Sequence, residues 1–172
     1  MGTYDGIRKY GDTVLRGKSE KVEEFSPELM HLFEQMEETM IGAKGVGLAA
    51  PQIGISKRIA IVNSEPEDGE KLIRMVNPRI VASSDETESL EEGCLSVPGI
   101  RGVVARAATV TVAYQDEKGT ERTLEAGGLL ARIIQHEIDH LNGILFVDRL
   151  SFAKRSLIKS KLKELADSGK ET

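Results

Sequence analysis

Leu129-Leu130-Ala131-Arg132-Ile133-Ile134-Gln135-His136-Glu137-Ile138-Asp139-His140-Leu141 is the stretch on which the fold of this chain turns. Leu129, Leu130, Ile133, Ile134, Ile138 and Leu141 cover much of a helix circumference, so the helix is expected to be buried. Gly127-Gly128 precede it and Asn142-Gly143 supply its stop. His136, Glu137 and His140 would then be polar groups in a core, which is costly unless they meet a metal or one another. Two imidazoles four residues apart project from one face and can close on a single cation, with Glu137 between them aimed at its open side. A histidine on an apolar helix is more often a hydrogen-bonded core residue, and an HExxH run is short enough to arise by chance. The pattern therefore needs independent support.

That support comes from Cys94, the one cysteine of the chain, set in Glu92-Gly93-Cys94-Leu95-Ser96. A lone cysteine can also be a small buried hydrophobe. With His136 and His140, however, it makes three protein ligands and leaves a fourth position for water, the arrangement of a catalytic rather than a structural site. No internal disulfide can form, which suits a reducing compartment.

Working outward, Ser26-Pro27-Glu28 reads as an N-cap, a first-turn proline and an acid near the positive end of the helix dipole. Leu29, Phe33, Met36 and Met40 follow at helical spacing as core, and Gly42 and Gly45 end that helix. His31 lies on it between Glu28 and Glu34, a surface or ion-pair position. Gly45-Val46-Gly47-Leu48-Ala49-Ala50-Pro51-Gln52 lacks the spacing of a phosphate loop and reads as a close-packed connection into a strand, or as a place where a ligand approaches the backbone.

Strands are expected at 58–63, 72–81, 103–114 and 120–124, joined by short polar turns at 64–69, 83–88 and 116–119. A basic amphipathic helix closes the chain from Ser151 to about Ser168. Short strands joined in this way predict an α+β fold: antiparallel or mixed β-sheets packed around a central metal-binding helix, with an N-terminal and a C-terminal helix. The 172 residues are expected to form a single domain, residues 1–172.

Hydrophobic residues are 40% and charged residues 30% of the chain, the composition of a globular protein. With 23 Lys+Arg against 28 Asp+Glu, a sequence-independent grip on DNA is not expected. No apolar run approaches membrane-spanning length, and Met1 to Arg8 has no apolar core of a signal peptide. The expected location is the bacterial cytoplasm rather than an organelle reached by a processed precursor.

A divalent cation on Cys94, His136 and His140 would lower the pKa of a water in its open position, and Glu137 could take that water's proton and pass it to a leaving group. The chemistry is metal-assisted hydrolysis of a carbonyl compound. Its oxyanion needs further donors, for which a backbone N–H beside Cys94 and the Gln52 amide are candidates.

Gly45-Val-Gly-Leu-Ala-Ala-Pro-Gln52, Glu92-Gly-Cys-Leu-Ser96 and Gln135-His-Glu-Ile-Asp-His140 resemble, in order and separation, the three signature motifs of the peptide deformylases. Ile7-Arg-Lys-Tyr10, Val14-Leu15 and Leu141 to Asp148 resemble the family's flanks. The resemblance implies removal of the formyl group from the N-terminal formyl-methionine of new polypeptides. It implies Cys94, His136 and His140 as metal ligands and Glu137 as general base and acid. Gln52 and the Leu95 N–H would serve the oxyanion. Gly45, Val46 and Gly47 would run beside the substrate backbone, Val46, Ile133 and His136 would shape the methionine pocket, and Arg101 would touch the peptide further on. The implied metal is Fe2+, with Zn2+, Ni2+ or Co2+ able to substitute. The implied partners are N-formyl-methionyl nascent peptides, with ribosome contact through Lys154, Arg155, Lys159, Lys161 and Lys163 of the last helix.

The chain departs from the family pattern at Gly11, where proline is usual, and at Arg132, where an apolar residue at the pocket rim is common. Arg132 is expected either as a snorkelling surface residue or as a head at the pocket mouth that favours acidic residues after methionine. Asp139, rotated off the metal face, is expected to pair with an arginine such as Arg106. A hydrolase for other N-acyl groups, and an inactive relative that binds N-termini, remain open; the latter would be marked by loss of Glu137 or a ligand, and both are intact.

Overall fold

The computed structural model describes residues 6–168. Met1 to Asp5, part of the start read as lacking a leader, and 169–172 lie outside the described residues.

Helix α1, Pro27–Gly42, opens at Ser26, whose hydroxyl makes no capping bond; its carbonyl accepts the Leu29 N–H. Leu29, Phe33, Met36 and Met40 are buried as their spacing predicts. The helix stops where Lys44 takes a positive φ of 59° and Gly45 N–H reaches back to the Met40 carbonyl. His31 is exposed and 3.6 Å from Glu34.

Strands β1 (Gly47–Ala49), β2 (Ile59–Asn63), β3 (Leu72–Ser83), β6 (Thr109–Gln115) and β7 (Glu121–Gly127) form a five-stranded sheet in the order β1-β2-β3-β6-β7. Strands β4 (Thr87–Cys94) and β5 (Val97–Ala107) form a separate hairpin. Every pairing between these strands is antiparallel. Strand β2 is buried throughout, because it packs against α1 and against the central helix.

Two expectations are corrected. The strand expected over 103–114 is two strands: the chain leaves the hairpin at Ala107, passes through Ala108 and enters the other sheet at Thr109. Residues 83–88, read as a turn, include the start of β4, whose first five residues are exposed on both faces and so carry no alternation.

Strand β7 runs into helix α2, Gly128–Leu141, without a loop; Gly128, at φ +56°, makes the turn. Val62, Met75, Val110 and Val112 of the sheet pack with Ala131, Ile133, Ile134 and Ile138 of α2. On the hairpin side, Val97, Ile100 and Val104 pack with Phe146, Leu150 and Ile158, the last from helix α3 (Phe152–Ser168). Gly11, at φ +104°, lies against α3 so closely that a Cβ would be 2.6 Å from the Ala166 backbone. Proline, locked near φ −65°, cannot adopt that conformation. Among the described residues no helix is long and apolar enough to cross a membrane.

Candidate metal centre and cleft

Helix α2 and the end of hairpin strand β4 bring Cys94, His136 and His140 together: one ligand atom from each lies within 4.8 Å of the others. Cys94 Sγ is 3.4 Å from His140 Nε2. A cation roughly 2.0–2.3 Å from nitrogen and sulfur would draw such atoms to a spacing of this size. One thiolate and two imidazoles are a donor set for a divalent transition metal, so the residues fit the group that the motif implies.

Glu92 was quoted with the cysteine motif but given no role. Its Oε1 lies 3.0 Å from His136 Nδ1, which leaves Nε2 facing the site. Arg106 grips the same carboxylate at 2.6 and 2.9 Å, and Arg132 at 2.5 Å. Burial alone would raise the Glu92 carboxyl; the bonds from Arg106 and His136 overcome it and hold the group at about 2. An acid beside the chain's lone cysteine was the available signal, since ligating histidines are commonly held by a carboxylate.

Arg132 is not the snorkelling surface residue that was one of the alternatives expected for it. It is buried, and it donates to Glu92 and to the carbonyls of Val104 and Glu88. Its guanidinium ties α2 to the hairpin, and the residue also lines the cleft described below. Asp139 does pair with Arg106, at 2.9 Å, and also with Arg149 at 2.6 Å.

Burial lowers the basicity of His136, but Cys94 and Glu92 outweigh burial and push it up to about 10. His140 is shifted the other way, well below its ordinary value, by burial and by neighbouring His136, so its ring is neutral and ready to ligate. Burial pushes Glu137 up to about 7. Among the described residues its Oε2 is buried without a hydrogen-bond partner, and Glu137 lines the cleft.

Gln52 is held by its own helical turn. Its Oε1 accepts the Ala49 N–H at 3.0 Å, which fixes the amide orientation and turns Nε2 toward Ser96 Oγ at 3.1 Å and Cys94 Sγ at 3.7 Å. One amide hydrogen serves Ser96 and the second makes the longer contact to Cys94 Sγ, which keeps Nε2 beside the site.

The centre lies at the base of a cavity of about 380 Å³. Gly45, Val46, Gly47, Gln52, Leu95, Arg101 and Ile133 line it, as do Lys44 and Glu91, given no role above, and Leu129, which was expected to be buried with its helix but is exposed here. Strand β1 is the edge of its sheet, paired with β2 on one side, where Val46 accepts the Asn63 N–H; among the described residues no strand pairs with its other edge. Gly47 lies close under α2: a Cβ there would lie 2.8 Å from Glu137 Oε1 and 2.9 Å from Ile133, so one of those side chains would have to move. Arg101 is paired with Glu91 at 2.7 Å on the exposed rim.

Residues 4–156 match the family model described as polypeptide deformylase. The peptide deformylase of Halothermothrix orenii is 51% identical over 144 residues, 84% of this chain and 92% of that protein. That of Brachyspira hyodysenteriae is 45% identical over 163 residues, 92% of this chain and 87% of that protein. Among solved structures, the peptide deformylase of Plasmodium falciparum superposes with a TM-score of 0.91 at 40% identity, covering 96% of this chain and 98% of that one. The Thermus thermophilus enzyme superposes at 0.88 with 44% identity, covering 95% and 98%.

Proposed function

The chain belongs to the polypeptide deformylase family, metal-dependent hydrolases that remove the formyl group from the N-terminus of newly made polypeptides, and from that premise we propose how its own residues do so. Cys94, His136 and His140 would hold one divalent cation, which when bound supplies Lewis acidity to water and to the formyl carbonyl.

The remaining work belongs to the side chains. Glu137 takes the proton of the water as its oxygen bonds to the formyl carbon, and returns that proton to the amine nitrogen as the C–N bond breaks. Formate and a free N-terminus leave. Gln52 Nε2 and the Leu95 N–H donate to the oxyanion that develops between those steps. The free edge at Gly45, Val46 and Gly47 pairs with the extended substrate backbone, and Val46, Ile133 and Leu129 take the methionine side chain. Arg101 meets the peptide beyond it.

The observation that carries this reading is Glu137 Oε2, buried and unpartnered beside a three-ligand centre at the base of a cleft with an open strand edge. Metal content and deformylation rate of Glu137→Ala beside the unchanged protein test it. Retained metal with turnover lost supports the roles given; retained turnover defeats them. Comparing formyl-Met with acetyl-Met peptides tests the acyl group, since a pocket fitted to a formyl hydrogen rejects a methyl by clash.

By likeness to the family the working ion is Fe2+, with Zn2+, Ni2+ or Co2+ fitting the same donors. We infer a bacterial cytoplasmic setting from the formylated substrate, and a contact with the ribosome through Arg155, Lys159, Lys161 and Lys163, which are exposed on α3. Co-sedimentation with ribosomes after deletion of residues beyond Phe152 tests the contact.

A further inference from the structure

Arg8, Lys9 and Tyr10 precede every strand and line no part of the cleft, yet each reaches one of the two turns that border it. The Arg8 N–H donates to the Gln52 carbonyl at 2.6 Å, and the Tyr10 N–H to the Ser96 carbonyl at 2.8 Å. Between them, Lys9 Nζ donates to the Leu95 carbonyl at 3.2 Å. Three consecutive residues thus strap the segments that carry Gln52 and Leu95.

The Lys9 contact reaches further than the other two. The Leu95 carbonyl and the Ser96 N–H are the two ends of one peptide group, and that N–H donates to Cys94 Sγ at 3.4 Å. A peptide group is a single delocalised unit, so a cation on its oxygen draws electron density from its nitrogen and makes the N–H a stronger donor. An unbroken path runs from ammonium to carbonyl, through the amide, to sulfur.

We propose that Lys9 is a positioning residue of this site, which acts through the Leu95–Ser96 peptide to strengthen the N–H hydrogen bond on Cys94 Sγ and to fix the turn that presents the Leu95 N–H to substrate. The proposal rests on Cys94 as a metal ligand. A sulfur held by a stronger donor gives up less charge to its cation, which stays more electrophilic; partners one step behind the ligands set such properties in metal sites.

The test uses the full chain loaded with Co2+, whose sulfur-to-cobalt charge-transfer band reports the electron density on Cys94. Lys9→Met is compared with Lys9→Arg, and with Lys18→Met, which removes an exposed charge elsewhere. In Lys9→Met the band moves to longer wavelength and kcat falls roughly three- to tenfold with KM little changed, a smaller loss than the 10–100-fold seen when a direct outer partner is removed. Lys9→Arg restores both, and Lys18→Met moves neither. A band at the unchanged wavelength in Lys9→Met overturns the proposal even if activity drops, since a strap with only a structural role would not alter the sulfur. Should Lys9→Met fail to fold, Lys9→Gln is read by the same criterion. Absence of any sulfur-to-cobalt band in the unchanged protein would instead strike at Cys94 as a ligand, and with it at the proposed function.

Discussion

Glu92 Oε1 sits 3.0 Å from His136 Nδ1, while Arg106 donates to both of its oxygens and Arg132 to Oε2. One carboxylate thereby aims a histidine on α2 and neutralises two buried guanidiniums from different elements, with side-chain exposures of 5% for the acid and 3% and 7% for the arginines. Coordination geometry and fold stability meet in this residue.

Glu92→Gln should therefore lose both. Removing one partner of a buried ion pair costs about 3–5 kcal/mol, because the charges left behind are desolvated and unpaired. Denaturant unfolding at neutral pH reads that loss, and metal affinity should fall about 10–100-fold as His136 loses its orientation. The pH dependence has a definite sign. The folded carboxyl lies at about 2, below its ordinary 4.5, so its stabilisation is present above 4.5 and is lost as pH falls from there toward 2. An acid-unfolding curve with the same slope in Glu92→Gln as in the unchanged protein would contradict this.

Glu137 carries the opposite shift. Burial raises it from 4.5 to about 7, so in the metal-free protein its protonated form is favoured and its contribution to stability is lost as pH rises from 4.5 through 7. Glu137→Gln should make the metal-free protein more stable at pH 8 by roughly 1–3 kcal/mol, while turnover drops about 10²–10⁴-fold. A nearby cation favours the carboxylate, so the rising limb of the pH–rate profile should fall at or below about 7. A thermal melt of Glu137→Gln that matches or falls below the unchanged protein at pH 8 would refute the stability half.

The sequence made some of this legible and hid the rest for identifiable reasons. The α1 stripe and the α2 helix were readable because apolar residues at helical spacing have one packing solution. Cys94, His136 and His140 stood out because Cys and His are scarce in this chain. Strand β4 was missed because Thr87 to Glu91 are exposed on both faces, which leaves no alternation to detect. The break at Ala108 was missed because alternation continues across it, from β5 in one sheet to β6 in another. Glu92 was given no role, and Arg132 was not expected to be buried, because a charge alone gives no sign of burial when its partners are distant in the chain.

Gly47→Ala tests how tightly β1 and α2 are matched. The added methyl would press on Glu137 Oε1 at 2.8 Å and on Ile133 at 2.9 Å, so either the proton acceptor or the pocket wall must move. Displacing a catalytic group by about 1 Å can cost about 10²-fold, and kcat/KM should fall by that order with metal content unchanged. An alanine variant of full activity would show that the strand edge yields without cost.

Asp139→Asn separates the two ends of the buried charge network. Asp139 holds Arg106 at 2.9 Å and Arg149 at 2.6 and 2.9 Å, but these arginines differ in what they lose with it. Arg149 is 43% exposed and regains water, whereas Arg106, at 3%, keeps only Glu92. The loss should thus fall below that of Glu92→Gln, about 2–3 kcal/mol, which in a domain of this size lowers Tm by roughly 5–10 °C. Because Glu92 still aims His136, metal affinity should change far less than in Glu92→Gln. Equal losses of affinity in the two variants would mean that Asp139, through Arg106, is needed to hold Glu92 in place; unchanged stability would mean that the Asp139 pairs contribute nothing.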